Sequence, residues 1–216
     1  MKKITVLFLC FFVSKINADT VINGYDSGNL ILGAGSELII ENNTTTTLKN
    51  LTLKNLSSER LVMEGTGSIL ALENVTIYQD GDYSFTQGQL FIYDEVNMRG
   101  TSGFSYQSAQ QSYIKEFSTW YFDINTTFSY EPSVANRTLI SMSDATSRFH
   151  FNGCDLYSTS TGLQLDTGTV FFDNLVTLSA DGQVESEAIS FGESDGVVVD
   201  VLSGACVEIY GYINFD

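Results

Sequence analysis

A short pattern of apolar and polar positions recurs along this chain: apolar, polar, Asn-like, apolar, polar, apolar. It stands as Leu48-Lys49-Asn50-Leu51-Thr52-Leu53, Leu72-Glu73-Asn74-Val75-Thr76-Ile77, Tyr93-Asp94-Glu95-Val96-Asn97-Met98 and Phe151-Asn152-Gly153-Cys154-Asp155-Leu156. A looser copy opens Phe172-Asp173-Asn174-Leu175, and a partial one is Phe122-Asp123-Ile124-Asn125. The first positions, 48, 72, 93, 122, 151 and 172, are spaced by 21 to 29 residues. Alternation on either side of the Asn predicts short strands with one buried face. Recurrence at this interval predicts a solenoid, in which each coil covers its apolar face only by stacking on its neighbours.

Other strand signals fill the chain, among them Leu30-Ile31-Leu32, Leu61-Val62-Met63, Leu90-Phe91-Ile92-Tyr93, Val197-Val198-Val199 and Val207-Glu208-Ile209-Tyr210. They are short, β-branched or aromatic, and separated by Gly, Asn, Asp, Ser and Thr. No stretch sustains a helical period, although residues 110–117 are compatible with one turn. The class is all-β. An antiparallel sandwich needs hairpins but no recurring sequence, whereas a parallel β-helix needs equivalent positions coil after coil, so the repeat selects the single-stranded parallel β-helix. Residues 19–216 then form one domain of roughly nine coils, about 40 Å long at normal strand spacing. The 29-residue intervals predict loops around residues 102–112 and 130–136. The sixth positions Leu53, Ile77, Met98 and Leu156 are expected to point inward, close together on consecutive coils.

The Asn-Val-Thr-Ile type of strand and turn, with its apolar pairs and spacing, resembles the right-handed parallel β-helix (pectin-lyase-like) superfamily, which includes pectate lyases, polygalacturonases and passenger regions of bacterial surface proteins. The resemblance spans residues 28–210 and implies a right-handed coil. The units Phe149-His150-Phe151-Asn152 and Phe171-Phe172-Asp173-Asn174 are also similar to a repeat of the chlamydial polymorphic outer-membrane proteins. The Asp-Asp pair, Gly-His-Gly and Arg-Ile-Lys units of polygalacturonases are absent from the sequence.

Residues 1–18 read as a cleaved signal peptide: Lys2 and Lys3 precede an apolar run over residues 4–13 that is too short to span a bilayer, and Ile16-Asn17-Ala18 offers a cleavage site. Cys10 follows the bulky Leu9, which disfavours lipidation. The expected location is therefore exported, in the periplasm, on the cell surface or outside the cell, with no integral membrane segment after cleavage. Cleavage removes Lys2, Lys3 and Lys15 and no acidic residue, leaving 7 basic residues against 26 acidic ones and moving the net charge from −16 to −19. Such a surface repels phosphate backbones, which argues against a nucleic-acid partner. The mature chain keeps Cys154 and Cys206, 52 residues apart. Two coils correspond to about 9 to 10 Å, beyond disulfide reach, so both thiols are expected to be free and buried.

Candidate chemistry is sparse. Asn50, Asn74, Asn152 and Asn174 read as turn residues that tolerate a left-handed backbone. Asp94, Glu95, Asp123, Asp155 and Asp173 lie at comparable places in successive coils, which leaves room for paired-carboxylate chemistry. The single histidine, His150, alternates with Phe149 and Phe151 and should point outward, with no second ligand for zinc. Asp80-Gly81-Asp82 and the acidic turn at 193–196 lack calcium-loop spacing. Seven Asn-x-Ser/Thr sequons follow from Thr- and Asn-rich turns. No catalytic or metal-ligating set and no cofactor is predicted. The aromatic group Tyr106, Tyr113, Trp120, Tyr121 and Tyr130 is the candidate glycan site, since polar-tipped rings on an outer face suit sugar stacking. The expected function is a non-enzymatic, exported β-helix acting as a cell-surface, adhesive or glycan-binding module, its partner a glycan or a cell-envelope protein. The alternative is a small β-helix polysaccharide lyase or glycoside hydrolase using surface carboxylates.

Overall fold

The computed structural model describes residues 2–5, 13–16, 18–32, 36–192 and 196–215. These residues form a parallel β-solenoid of about 8 turns in which every strand pairing is parallel. Each complete coil lays down three short strands, one on each of three faces. On the first face, residues 45–49, 69–73 and 89–93 stack in register, and Ser112–Ile114 and Ile140–Met142 continue it. On the second, Leu30, Leu53, Ile77, Met98, Phe122, Phe151, Phe172 and Val201 form one continuous column. On the third, Tyr83–Phe85, Gly103–Tyr106, Thr127–Tyr130, Asp155–Ser158, Leu175–Ala180 and Cys206–Tyr210 stack likewise. The count falls short of nine because the middle coils divert residues into loops.

Alternation decides what enters the core. In Thr119–Phe122, Trp120 and Phe122 point inward and Tyr121 outward, a burial pattern repeated in neighbouring strands. Inward aromatics stack coil on coil: Trp120 on Phe149 at 5.2 Å, Phe122 on Phe151 at 6.0 Å, Phe104 on Phe128 at 6.1 Å and Tyr106 on Tyr130 at 5.8 Å. Apolar area and ring contacts both hold the columns together.

Corners need a left-handed residue. Asn50, Asn74 and Asp94 turn the chain between the first and second faces with φ of 51°, 52° and 53°, and Asn125, Gly153 and Asn174 turn it between the second and third. The Asn74 amide donates to Asn50 Oδ1 at 3.0 Å, so the turn residues also form a ladder. Asn152 is the exception, since Gly153 takes the left-handed position there.

Leu156 does not join the column of Leu53, Ile77 and Met98. It lies on the third face, between Phe128 and Leu178. The six-residue pattern occurs at two different corners: copies beginning at 48, 72 and 93 turn from the first face to the second, while those at 151 and 172 turn from the second to the third. The same chemistry solves both corners, so the pattern alone does not distinguish them.

Loops occupy residues 107–111 and 131–139, so the first is shorter than expected: Gly103–Tyr106, within the span assigned to it, is a strand of the third face. Residues 110–117 hold no helical turn. Ser112–Ile114 is a strand instead, and the described residues have a single 3-10 turn at Glu185–Glu187. Lys2–Thr5 and Val13–Ile16, within the expected leader, pair with residues 20–23 and 37–40. Cleavage after Ala18 would leave the strands Thr20–Ile31 and Glu37–Glu41 as the free edge. Cys10, Asn17 and residues 193–195 of the acidic turn lie outside the described residues. Cys154 is buried and Cys206 exposed, both unbridged. Burial pushes the Cys154 thiol up to about 12. Cys206 lies on the last described coil, where Val201, Ile209 and Phe215 are also about half exposed.

Candidate functional site on the second face

The predicted aromatic group divides between inside and outside. Trp120 is 1% exposed, and Tyr106 and Tyr130 are 0% exposed, so the outer-face assignment fails for these three. All three occupy inward positions of the strand alternation. The two buried tyrosines have a different role. Tyr106 hydroxyl donates to Gln110 O and lies 2.9 Å from Ser112 Oγ, while Tyr130 hydroxyl donates to Asn136 O at 2.6 Å and accepts from Leu139 N at 3.1 Å. Each thereby anchors one long loop to the core. Burial pushes Tyr106 up to about 12 and raises Tyr130 further.

Tyr113 and Tyr121 do face outward, on different faces. Tyr113 packs edge-on against Phe91 at 5.5 Å, with Lys115 Nζ 4.5 Å from its ring centre. Tyr121 begins the more developed surface. The second-face register aligns Asn97, Tyr121, His150 and Phe171 as one outward row over four coils. Tyr121 meets His150 edge to face at 4.7 Å, and His150 lies 5.5 Å from Phe171. On one side runs the row Glu95, Thr119 and Arg148, with the Arg148 guanidinium 5.9 Å from the Phe171 ring. On the other, Arg99 pairs with Asp123 at 3.5 Å, and Asn152 donates to Asp123 at 3.0 Å and to the Tyr121 hydroxyl. Glu95, Asn97, Arg99, Thr119, Tyr121, Arg148, His150 and Phe171, with Leu202, line an open groove of about 480 Å³.

His150 is the histidine the alternation places outward. Partial burial lowers its pKa, opposed by the charge of Asp173, so the ring is neutral at pH 7. Its Nε2 atom is buried and has no hydrogen-bond partner among the described residues. Burial, and then the Asp123 charge, raise the Tyr121 pKa and keep its hydroxyl protonated.

The five candidate carboxylates are held in different places: Glu95 lines the groove and accepts from the Asn97 amide at 2.8 Å. Asp123 and Asp173 lie in one row of this face, separated by Asn152, but each accepts the N–H of the residue after it, Ile124 and Asn174, at 2.9 and 2.8 Å. Asp94 sits at a corner and Asp155 on the third face. Asp80 and Asp82 hold turns, the first with Arg60 at 3.1 Å and the second accepting Gly103 N–H at 2.8 Å.

Sequence reasoning missed Phe171, Asn97, Arg99 and Arg148 as members of the site. The signal was present: with Tyr121 and His150 outward, the register places Phe171 one coil beyond them. Comparison with protein-family models, curated proteins and solved structures found no match for the chain.

Proposed function

We propose that this chain is an exported β-helix of the pectin-lyase-like superfamily that acts as a non-enzymatic glycan-binding module at the cell surface, held there by a cell-envelope protein. The observation that carries the reading is the outward row Tyr121, His150 and Phe171, bordered by Arg99, Arg148, Asn97 and Glu95 around one groove. Apolar ring faces beside directional donors and acceptors match the two surfaces of a sugar, its C–H face and its hydroxyl rim. The leader pattern supports export, and the self-hydrogen-bonded carboxylates favour binding over hydrolysis.

The test is a printed glycan array probed with the mature protein and with Tyr121→Ala and Phe171→Ala. Both side chains are partly exposed, so both variants should fold. The reading expects discrete glycan signals that fall at least tenfold, about 1.4 kcal/mol, in either variant. Cleavage of a bound glycan during incubation would favour the lyase or hydrolase reading, and no binding by the native protein would end the glycan reading.

A further inference from the structure

Eight described non-glycine residues have a left-handed backbone, and seven of them are Asn or Asp: Asn43, Asn50, Asn55, Asn74, Asp94, Asn125 and Asn174. The eighth is Phe117, with φ of 56°. Asn and Asp enter this region at little cost, whereas a bulky aromatic there is an outlier that destabilises the fold. Burial does not compensate for it, because Phe117 is 80% exposed, the most exposed large apolar residue described. Phe117 contributes only its backbone to the hydrogen bond it donates, from its N–H to Thr146 Oγ1 at 2.8 Å, and any residue but proline would keep it. Neither packing nor turn chemistry therefore accounts for a phenylalanine here.

Its position does. Phe117 stands at the corner between the outward faces that carry the two aromatic surfaces. Two residues before it, Lys115 lies 4.7 Å from the centre of the Phe91 ring and 4.5 Å from that of Tyr113 on the first face. Two residues after it, Thr119 begins the wall of the second-face groove, beside Glu95 and Arg148. A strained, exposed residue two positions from the groove-lining Thr119 is an outlier of the kind that marks a contact outside the molecule.

We infer that Phe117 is a binding residue, an aromatic rim on which the glycan stacks as it leaves the groove over the corner toward Tyr113. This rests on the glycan reading of the groove. It specifies a ligand longer than one sugar ring, since rings on two faces of the coil are engaged together.

Phe117→Asn and Phe117→Gly test it by two readouts. Thermal unfolding should move up by about 2 to 4 °C in either variant, because the left-handed strain is relieved and almost no buried area is lost. Binding to the strongest oligosaccharide of the array should fall at least fivefold in both and be retained in Phe117→Trp. A lower melting temperature in Phe117→Asn would show that the ring supports the fold, and overturns the inference. Unchanged binding in Phe117→Asn, with binding lost in Tyr121→Ala, overturns it while leaving the groove reading intact. Loss of binding in none of Phe117→Asn, Phe117→Gly and Tyr121→Ala overturns both.

Discussion

At the scale of single residues, the alternation of the strand separates structure from chemistry within adjacent positions. Trp120 and Tyr121 are neighbours in sequence and opposite in role: one ring stacks on Phe149 in the core, and the other edges onto His150 in the groove. Trp120→Ala should therefore destabilise the protein by about 3 to 5 kcal/mol in chemical denaturation, as expected for a deleted core aromatic, and would report on folding rather than on binding. His150 gives a pH signature. Its folded pKa lies below the unfolded value of about 6.5, so the unfolded chain binds the proton more readily and the stability associated with the neutral ring is present above about pH 6.5. That contribution is lost as the pH falls through the folded pKa. Between about pH 6.5 and 5.5, where carboxylates remain almost fully ionised, the native melting temperature should fall and that of His150→Gln should fall less. Equal slopes would remove His150 from the account.

At the scale of the element, the six-residue pattern was legible as a strand, a left-handed turn and a second strand, and the structure keeps that reading at Asn50, Asn74 and Asn174. What was not legible was the corner on which each copy falls. Leu53 and Leu156 occupy the same place in the motif yet lie on different faces, because an Asn turn between two amphipathic strands satisfies either corner. The outward group was half-legible for a related reason. Its aromatic residues were visible, but their inward or outward sense depends on strand phase, and the loops at 107–111 and 131–139 reset that phase before Tyr113 and after Tyr130. Once Phe149 and Phe151 are inward, His150 and Phe171 follow. Leu53→Asp should cost several kcal/mol, since the charge enters a dry column with no partner. A near-native denaturation midpoint would contradict the column assignment.

At the scale of the whole molecule, each coil is stabilised by its neighbours, so tolerance should change toward an end rather than with residue type. Leu178 and Ile209 are consecutive on one inward column, the former fully buried and the latter 50% exposed. Leu178→Ala should cost about 2 to 5 kcal/mol and Ile209→Ala about half as much or less, read from urea midpoints. Equal costs would mean that the last coil is covered. The solenoid also brings residues 97, 121, 150 and 171 from four coils into one row, which turns a sparse set of side chains into a groove. His150 is the only histidine in the chain, so its imidazole signal reports on that groove alone. The most direct measurement is to follow this signal by heteronuclear NMR while titrating the strongest oligosaccharide found on the array. The account predicts a saturable shift of the His150 resonances that tracks the binding isotherm and disappears in Phe171→Ala; binding measured by calorimetry with an unmoved His150 signal would place the ligand elsewhere and contradict it.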